Sequence, residues 1–356
     1  MRAVGLLVAA AAVAAHAQDG KKLCRAIVQV QTTDRAAERA QLMQRGERTG
    51  ASGRLPVAQL RIHQPYTMVV TGVCISEREI LTPALHPRAD LHVVVTYFDG
   101  RVAEASVKGT DPLSNLALLE VPADSPAFVP IHAAPVAMGD SIGIAGCPVQ
   151  CHEGKSKFLN GRVRADQVAI GIEDIYGVAG DAGRIVLGTA FAVDTTEGRP
   201  NVGAACVDKE GRLVGLVVGG LPPRLVPDPD EPGRVRQIEM RFAVPAARIA
   251  RIVDALRRDG RVVRADFGIA LAPADEAVVA QFGLPPCAAA VTELARRPVR
   301  DGFQVHDVIL AVDGETRRDA YELTEALSDK TPGKPVVFDV LRHGRRVTVT
   351  ATPAER

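Results

Sequence analysis

Short runs rich in valine and isoleucine, separated by turn residues, make up most of the chain between residues 26 and 244. The clearest example is the pair of runs 92–97 and 102–107, which flank Asp99-Gly100. A dipeptide of this type adopts the positive φ that a tight hairpin turn requires. The pattern predicts an all-β body of hairpins arranged as a β-barrel. Residues 222–233, which hold five of the prolines, are predicted to be a loop.

A different periodicity follows this body. Four apolar residues recur at helical spacing: Ile249, Ile252, Val253 and Leu256. Pro245 is typical of the start of a helix, and Gly260 is typical of its end. We therefore predict a helix that closes a first domain at about residue 258 and a second domain over residues 259–356. Two domains also agree with the length of the chain.

The first 17 residues have the layout of a secretory signal peptide. An apolar run over residues 3–15 follows a basic residue and leads to the A-H-A cleavage site before Gln18. This run is shorter than the roughly 20 apolar residues of a membrane-spanning helix, and no later run approaches that length. The sequence predicts a first domain over residues 18–258, no stable membrane anchor, and a location in the periplasm or outside the cell.

Charge and composition exclude one class of function. The chain carries 43 basic and 42 acidic residues, for a formal net charge of +1, and so has no overall field that would attract nucleic acid. Tryptophan is absent and aromatic residues make up 4%, which leaves little for stacking on bases. The 47% of hydrophobic residues is ample for packed cores. We therefore predict folded domains without a nucleic-acid partner.

Six cysteines in an exported chain permit disulfides. Cys147 and Cys151 fall in one predicted loop and are the plainest pair. With His152 they read C-x-x-x-C-H, one residue longer than the signature of covalent haem attachment, and a zinc site here lacks a fourth ligand. We predict no cofactor and no metal, and keep a haem or redox role of this loop as a minor alternative.

Several segments resemble the HtrA/DegP family of trypsin-like serine proteases. Residues 200–216 read P-N-V-G-A-A-C-V-D-K-E-G-R-L-V-G-L, similar without a gap to G-N-S-G-G-P-L-V-N-x-x-G-x-V-I-G-I. The segments 80–85 and 111–119 are similar to I-L-T-N-N-H and D-P-x-x-D-L-A-V-L. F-A-V-P at 242–245 and D-V-I-L-A-V-D-G at 307–314 match the domain junction and a PDZ strand. The resemblance implies a mainly β fold, with a trypsin-like double β-barrel followed by a C-terminal PDZ domain of α+β type.

In this register the three positions of the catalytic triad hold Leu85, Asn115 and Val202. A triad needs a base, a carboxylate and a nucleophilic hydroxyl, and these side chains supply none of them. Pro200 takes the position of an oxyanion-hole donor but has no N–H. We therefore predict no catalytic residue and an inactive homologue. The alternative is an active serine-type endopeptidase with displaced catalytic residues, which would use His86 as its base.

The PDZ resemblance implies a peptide-binding site. Asp266, Phe267, Gly268 and Ile269 resemble the family's Y-L-G-V loop, whose backbone N–H groups hold a terminal carboxylate while the peptide adds a strand to the sheet. A helix around residues 321–327 would line the side-chain pocket. The negative charge of Asp266 departs from the family pattern and disfavours a carboxylate.

Taken together, these features predict a non-catalytic HtrA-like protein in the cell envelope. It would bind peptides, C-terminal segments or misfolded proteins as a chaperone, scaffold or decoy. The resemblance also implies a homotrimer, because members of the family commonly trimerise through the barrel domain.

Overall fold

The computed structural model describes the following residues: 23–34, 67–83, 91–111, 114–122, 124–147, 157–171, 186–195, 202–220, 224–227, 235–286, 288–294, 302–316 and 319–355. The described parts of residues 1–166 and 191–261 form one compact unit, and those of residues 167–190 and 262–356 form a second. The predicted signal peptide, 1–17, lies outside the described residues, as do these site positions: Leu85, His86, Cys151, His152 and Pro200.

Six described strands of the first unit close into an antiparallel barrel. They are β1 (Ile27–Asp34), β2 (Thr67–Cys74), β3 (Glu79–Pro83), β4 (Leu91–Thr96), β5 (Val102–Asp111) and β6 (Leu116–Glu120), in the order β1-β2-β3-β6-β5-β4. The hairpin predicted at Asp99-Gly100 is confirmed, because β4 pairs with β5 and Gly100 has a φ of 84°. Side chains on both faces of the barrel strands, such as Ile80, Leu81 and Leu118, are fully buried.

A second ring of antiparallel strands lies mostly in the same unit, and only residues 167–171 and 186–190 of its strands are assigned to the second unit. Its strands are β7 (Ser141–Gly146), β8 (Lys157–Gly171), β9 (Val186–Thr195), β10 (Ala205–Val207), β11 (Leu213–Gly220), β12 (Arg224–Pro227) and β13 (Val235–Pro245). The order is β11-β10-β7-β8-β9-β13-β12, and an additional pairing of β11 with β13 closes the ring. The predicted double β-barrel is therefore confirmed.

The prediction of a loop over residues 222–233 is wrong in part. Residues 224–227 form β12, which pairs with residues 235–238 of β13. The prolines suggested a loop, but β12 is the outermost strand of its sheet in the described chain. Proline is tolerated on such an edge, because the N–H group that it lacks is not needed for pairing with a further strand.

The predicted helix is confirmed as α1 (Ala246–Asp259), which ends at Gly260. The four apolar residues with helical spacing are buried: Ile249, Ile252, Val253 and Leu256. Full burial of a leucine or isoleucine side chain contributes about 1.5–3 kcal/mol, so this stripe holds the helix on the barrels. In the described chain, no helix has both the length and the apolar character needed to span a bilayer.

The second unit combines a small sheet with two helices. Its elements are β14 (Ala265–Asp266), β15 (Ile269–Pro273), α2 (Glu276–Phe282), β16 (Ala289–Leu294), β17 (Val308–Val312), α3 (Ala320–Ser328), β18 (Val336–Arg342), β19 (Arg345–Ala351) and β20 (Ala354–Glu355). Strands β15 to β19 form one sheet in sequence order, and β14 pairs with β20. Phe338 of β18 is fully buried in the hydrophobic core of this unit. It makes edge-to-face contacts with Phe267 and Phe303, at ring-centroid distances of 5.2 and 4.9 Å. This is the α+β architecture predicted for residues 259–356.

Candidate functional site

Val202 is held by its backbone between the two barrels. Its carbonyl oxygen accepts a hydrogen bond from the Thr71 N–H of β2 at 3.1 Å. The next residue, Gly203, donates its N–H to the Val217 carbonyl of β11 at 2.7 Å. The peptide group between Val202 and Gly203 is therefore hydrogen-bonded through both its carbonyl and its N–H, and the side chain of Val202 is aliphatic.

The packing at Gly203 permits no side chain. Its φ is 96°, and a Cβ built there would lie 1.9 Å from the Thr71 carbonyl oxygen and 2.8 Å from Cδ of Pro83. Only glycine fits this approach of the loop to β2 and to the end of β3. The close contact places the segment that carries Val202 directly on the first barrel.

The end of β3 also lies beside the Asn115 position. Pro83 pairs with Leu116 in the β3–β6 ladder, and Asn115 is the residue before Leu116. Asn115 has a φ of 53°, a conformation that asparagine tolerates better than most residues. The structure thus brings the Asn115 and Val202 positions to the same end of β3, two residues before Leu85.

The buried hydroxyls described around this site have hydrogen-bond partners. Ser114, the residue before Asn115, donates through Oγ to the Asp111 carboxylate, and two threonines bond backbone groups. Thr71 Oγ1 accepts from the Cys147 N–H at 3.0 Å and donates to the Cys147 carbonyl at 3.3 Å. Thr82 Oγ1 donates to the Thr71 carbonyl at 3.1 Å. Sequence reasoning did not identify Thr71, because its contacts join residues that are 76 positions apart. These hydroxyls stabilise the scaffold of the site.

Two buried thiols are poor nucleophiles. Cys206, four residues after Val202, is fully buried, and this burial raises the pKa of its thiol far above the usual range. Burial also raises the pKa of Cys74 in β2 to about 11. The thiolate is the reactive form of cysteine, so neither residue is activated at neutral pH. Their role is that of small hydrophobic side chains in the core.

The predicted peptide loop connects β14 to β15. Asp266 accepts a hydrogen bond from the Gly268 N–H through Oδ1, at 2.8 Å. Phe267 is buried in the core of this unit, and Ile269 is partly buried against it. One of the backbone donors expected to receive a carboxylate therefore already has an acceptor within the chain.

Strand β15 offers an open edge next to this loop. Among the described strands it is at the end of its sheet and pairs with β16 alone. Helix α3 packs near β15, and Leu271 of this strand packs against the core. An unpaired edge beside a helix is the arrangement on which a peptide adds as a further strand. The described side chains place no group of three or more His, Cys, Asp or Glu residues together as metal ligands.

Comparison with known proteins identifies both units. Residues 70–216 match the family model of a trypsin-like peptidase domain, and residues 265–352 match that of a PDZ domain. Fold and site thus define a trypsin-like peptidase domain joined to a PDZ domain. Both domains were expected from the resemblance to the HtrA family, and this resemblance is confirmed.

Three relatives show the extent of the sequence similarity. The chain is 26% identical over 306 residues to the serine endoprotease DegS of Escherichia coli strain K12, covering 80% of this chain and 76% of that protein. It is 25% identical over 266 residues to DegS of Haemophilus influenzae, with coverages of 71% and 67%. It is 24% identical over 297 residues to a probable periplasmic serine endoprotease, DegP-like, of Brucella suis, covering 80% of this chain. The match spans 53%, about half, of that last protein.

Solved structures show the same fold. The HtrA-type protease AlgW with a tripeptide has a TM-score of 0.64 and 19% identity, with 96% of this chain and 97% of that chain covered. AlgW with a decapeptide has a TM-score of 0.62 and 20% identity, with coverages of 96% and 98%. The fold predicted from the sequence is therefore confirmed across both units.

Proposed function

We propose that this chain is a non-catalytic member of the HtrA family that binds peptides or misfolded proteins in the cell envelope. The observation that carries the proposal is Val202, an aliphatic residue that the sequence register aligns with the nucleophile and whose carbonyl is bonded to Thr71 of β2. A valine has no hydroxyl to deprotonate, so the acyl-enzyme step of a serine protease has no nucleophile at this position.

The other proposed triad and oxyanion positions agree with this function. Asn115 is neutral and cannot stabilise a protonated base as an aspartate does. In the sequence register, Leu85 replaces the base and Pro200 removes an oxyanion donor. Thr71 and Thr82, two hydroxyl residues on the adjacent strands, are engaged with backbone groups, and the hydroxyl of Ser114 is engaged with Asp111. The proposal therefore does not depend on a single substitution.

The binding part of the proposal is supported by the open edge of β15. Main-chain groups along such an edge bind an extended peptide with little dependence on sequence. Related structures were solved with a tripeptide and a decapeptide, and we assign the same kind of ligand to this chain. The signal peptide proposed at residues 1–17 and the periplasmic name of the DegP-like relatives support an envelope location. The proposed partners are peptides or unfolded envelope proteins, and the proposed assembly is a homotrimer.

Digestion of unfolded casein by the purified chain from Gln18 to Arg356 tests the catalytic part. A variant with the changes Leu85→His, Asn115→Asp, Val202→Ser and Pro200→Gly is prepared in parallel from the same host, so that contaminating protease affects both samples equally. We expect no cleavage by the wild type and no labelling by a fluorophosphonate probe of serine hydrolases. Cleavage that survives repurification and disappears in His86→Ala would establish the active alternative.

A second assay tests client binding directly. The wild-type chain is added at increasing concentration to a chemically unfolded client as the denaturant is diluted, and light scattering follows aggregation. We expect suppression that depends on the concentration of the chain. Serum albumin at equal mass is the control for nonspecific protein. If the chain neither suppresses aggregation of the client nor binds any member of a peptide library, the binding part of the proposal is refuted.

A further inference from the structure

The carboxylate of Asp266 accepts a hydrogen bond from the loop that the PDZ resemblance predicts as the receiver of the ligand's carboxylate. The backbone N–H of Gly268 belongs to the predicted receiving set, with those of Phe267 and Ile269. In this structure the Gly268 N–H donates to Asp266 Oδ1 at 2.8 Å, the length of a good hydrogen bond. A side chain of this chain thus already supplies the negative oxygen that a terminal carboxylate would bring.

The backbone of Asp266 is held in place by the sheet. Asp266 is the last residue of β14 and pairs with Ala354 of β20, while Ala265 pairs with Glu355. Phe267 follows immediately and is anchored in the core against Phe338. The carboxylate is attached to a backbone fixed on both sides, so a ligand cannot displace it by shifting the loop as a whole.

Charge adds to this occupancy. A peptide carboxylate entering the loop would lie within a few ångströms of the Asp266 carboxylate, and like charges at that distance repel strongly where water is partly excluded. It would also compete for an N–H that already has a charged acceptor, a bond stronger than one between neutral groups. The repulsion acts only on a terminal carboxylate, so an uncharged peptide end meets the occupied N–H without it.

Strand addition at β15 does not need the terminal carboxylate. Its edge is open among the described strands, and the hydrogen bonds there are made by the main chain of the ligand. We propose that Asp266 makes this groove selective for internal peptide segments and uncharged ends, and excludes free C-terminal carboxylates. This inference rests on the proposed peptide-binding function and names the class of ligand.

Matched peptides test the selectivity on the full mature chain. Each member of a library of labelled decapeptides ending in apolar residues is made as the free acid and as the C-terminal amide, and fluorescence anisotropy gives the Kd of each. We expect the amides to bind the wild type at least about tenfold more tightly, a difference of about 1.4 kcal/mol. We also expect a smaller difference at high salt, which screens charge.

Two variants separate the charge from the hydrogen bond. Asp266→Asn keeps an oxygen acceptor for the Gly268 N–H but removes the charge, and we expect the two peptide forms to bind within about threefold. Asp266→Ala removes both and releases the N–H, so the free acids should then bind more tightly than the amides. Circular dichroism and thermal unfolding confirm that each variant is folded, and the conservative asparagine variant gives the answer where the alanine variant is unstable.

The outcomes distinguish this inference from the proposed function. Tighter binding of free acids than of amides by the wild type would overturn the role of Asp266 and leave peptide binding intact. Equal binding of both forms by the wild type and by Asp266→Asn would overturn it as well. Failure of both forms to bind the wild type or any variant would overturn the inference and the proposed peptide-binding function together. A wild type that cleaves casein yet prefers amides would refute only the non-catalytic proposal.

Discussion

Replacement of Glu79 by glutamine tests the ion pair that joins the first barrel to helix α1. The Glu79 side chain in β3 is only 12% exposed and accepts hydrogen bonds from Arg257, with Nε–Oε1 and Nη2–Oε2 distances of 3.0 and 2.6 Å. Ser76 Oγ donates to it at 3.2 Å, and Lys108 Nζ lies 3.5 Å from Oε1. Glutamine keeps the shape of the side chain but loses the charge and one acceptor oxygen.

The expected loss of unfolding free energy is about 1–2 kcal/mol. A hydrogen bond to a charged group contributes about 1.5–3 kcal/mol. Arg257 is 40% exposed, so solvent screening reduces its share toward the value of a surface pair, and the amide of glutamine retains one acceptor. Arg258→Gln is the matched control, because this neighbouring arginine is 72% exposed and forms its ion pair with the adjacent residue, Asp259. We expect no measurable change from it.

The effect of Glu79 on stability should depend on pH. The hydrogen bonds from Arg257 lower the pKa of Glu79, and this effect exceeds the opposing effect of burial. A group with a lowered pKa in the folded state contributes its full stabilisation above the pKa of the unfolded state, about 4.3 for glutamate. The contribution is lost as the pH falls through the lower folded pKa. The difference between wild type and Glu79→Gln should therefore be full at pH 7 and shrink below about pH 4.

Urea denaturation followed by far-UV circular dichroism measures these differences, since the chain contains no tryptophan for fluorescence. With an m-value of about 3 kcal/mol/M, the midpoint should fall by about 0.5 M at pH 7. If the two compact units unfold in separate steps, the midpoint shift should occur in the step in which the first unit unfolds, because Glu79 and Arg257 both belong to that unit. Equal midpoints for wild type and Glu79→Gln at pH 7, or a difference that grows as the pH falls to 3, would refute the reasoning.

Two further changes probe the scaffold of the site. Gly203→Ala would force a Cβ to within 1.9 Å of the Thr71 carbonyl oxygen at a positive φ. We expect the free energy of unfolding to fall by more than about 3 kcal/mol, as urea denaturation would measure. Gly211→Ala is its control, because Gly211 has a φ of 76° but a Cβ built there would meet no atom within 4 Å. This variant should lose only about 1 kcal/mol of unfolding free energy, and equal losses in the two variants would contradict the steric argument. Cys206, fully buried with a raised pKa, should resist iodoacetamide at pH 8 in the folded chain and react in urea, as peptide mass spectrometry would show. Rapid alkylation without urea would contradict its burial.

Local signals in the sequence predicted individual elements well. The hairpin at Asp99-Gly100 and helix α1 were both predicted correctly, because a glycine turn and a 3.6-residue period are properties of consecutive residues. The proline-rich stretch around β12 was predicted incorrectly as a loop throughout. Composition disfavours a strand there, and the position of β12 at the edge of the sheet makes Pro227 acceptable within it.

The candidate sites divide in the same way. The register of the sequence identified Val202, Asn115 and the Asp266 loop as positions of interest, because side-chain chemistry can be read at each position separately. It gave no sign that Thr71 joins β2 to both Val202 and Cys147. Such bonds connect residues far apart in the chain, and no local pattern encodes them.

The sequence by itself determined the hairpin at Asp99-Gly100, helix α1 and the residue types at the candidate site positions. Only the tertiary structure decided how those positions are held. It brought Gly203 against Thr71 and Pro83, and it directed the Gly268 N–H onto the Asp266 carboxylate. The physical reason is that periodicity and turn preference act between near neighbours, whereas close packing and the pairing of buried polar groups are settled only when distant segments meet.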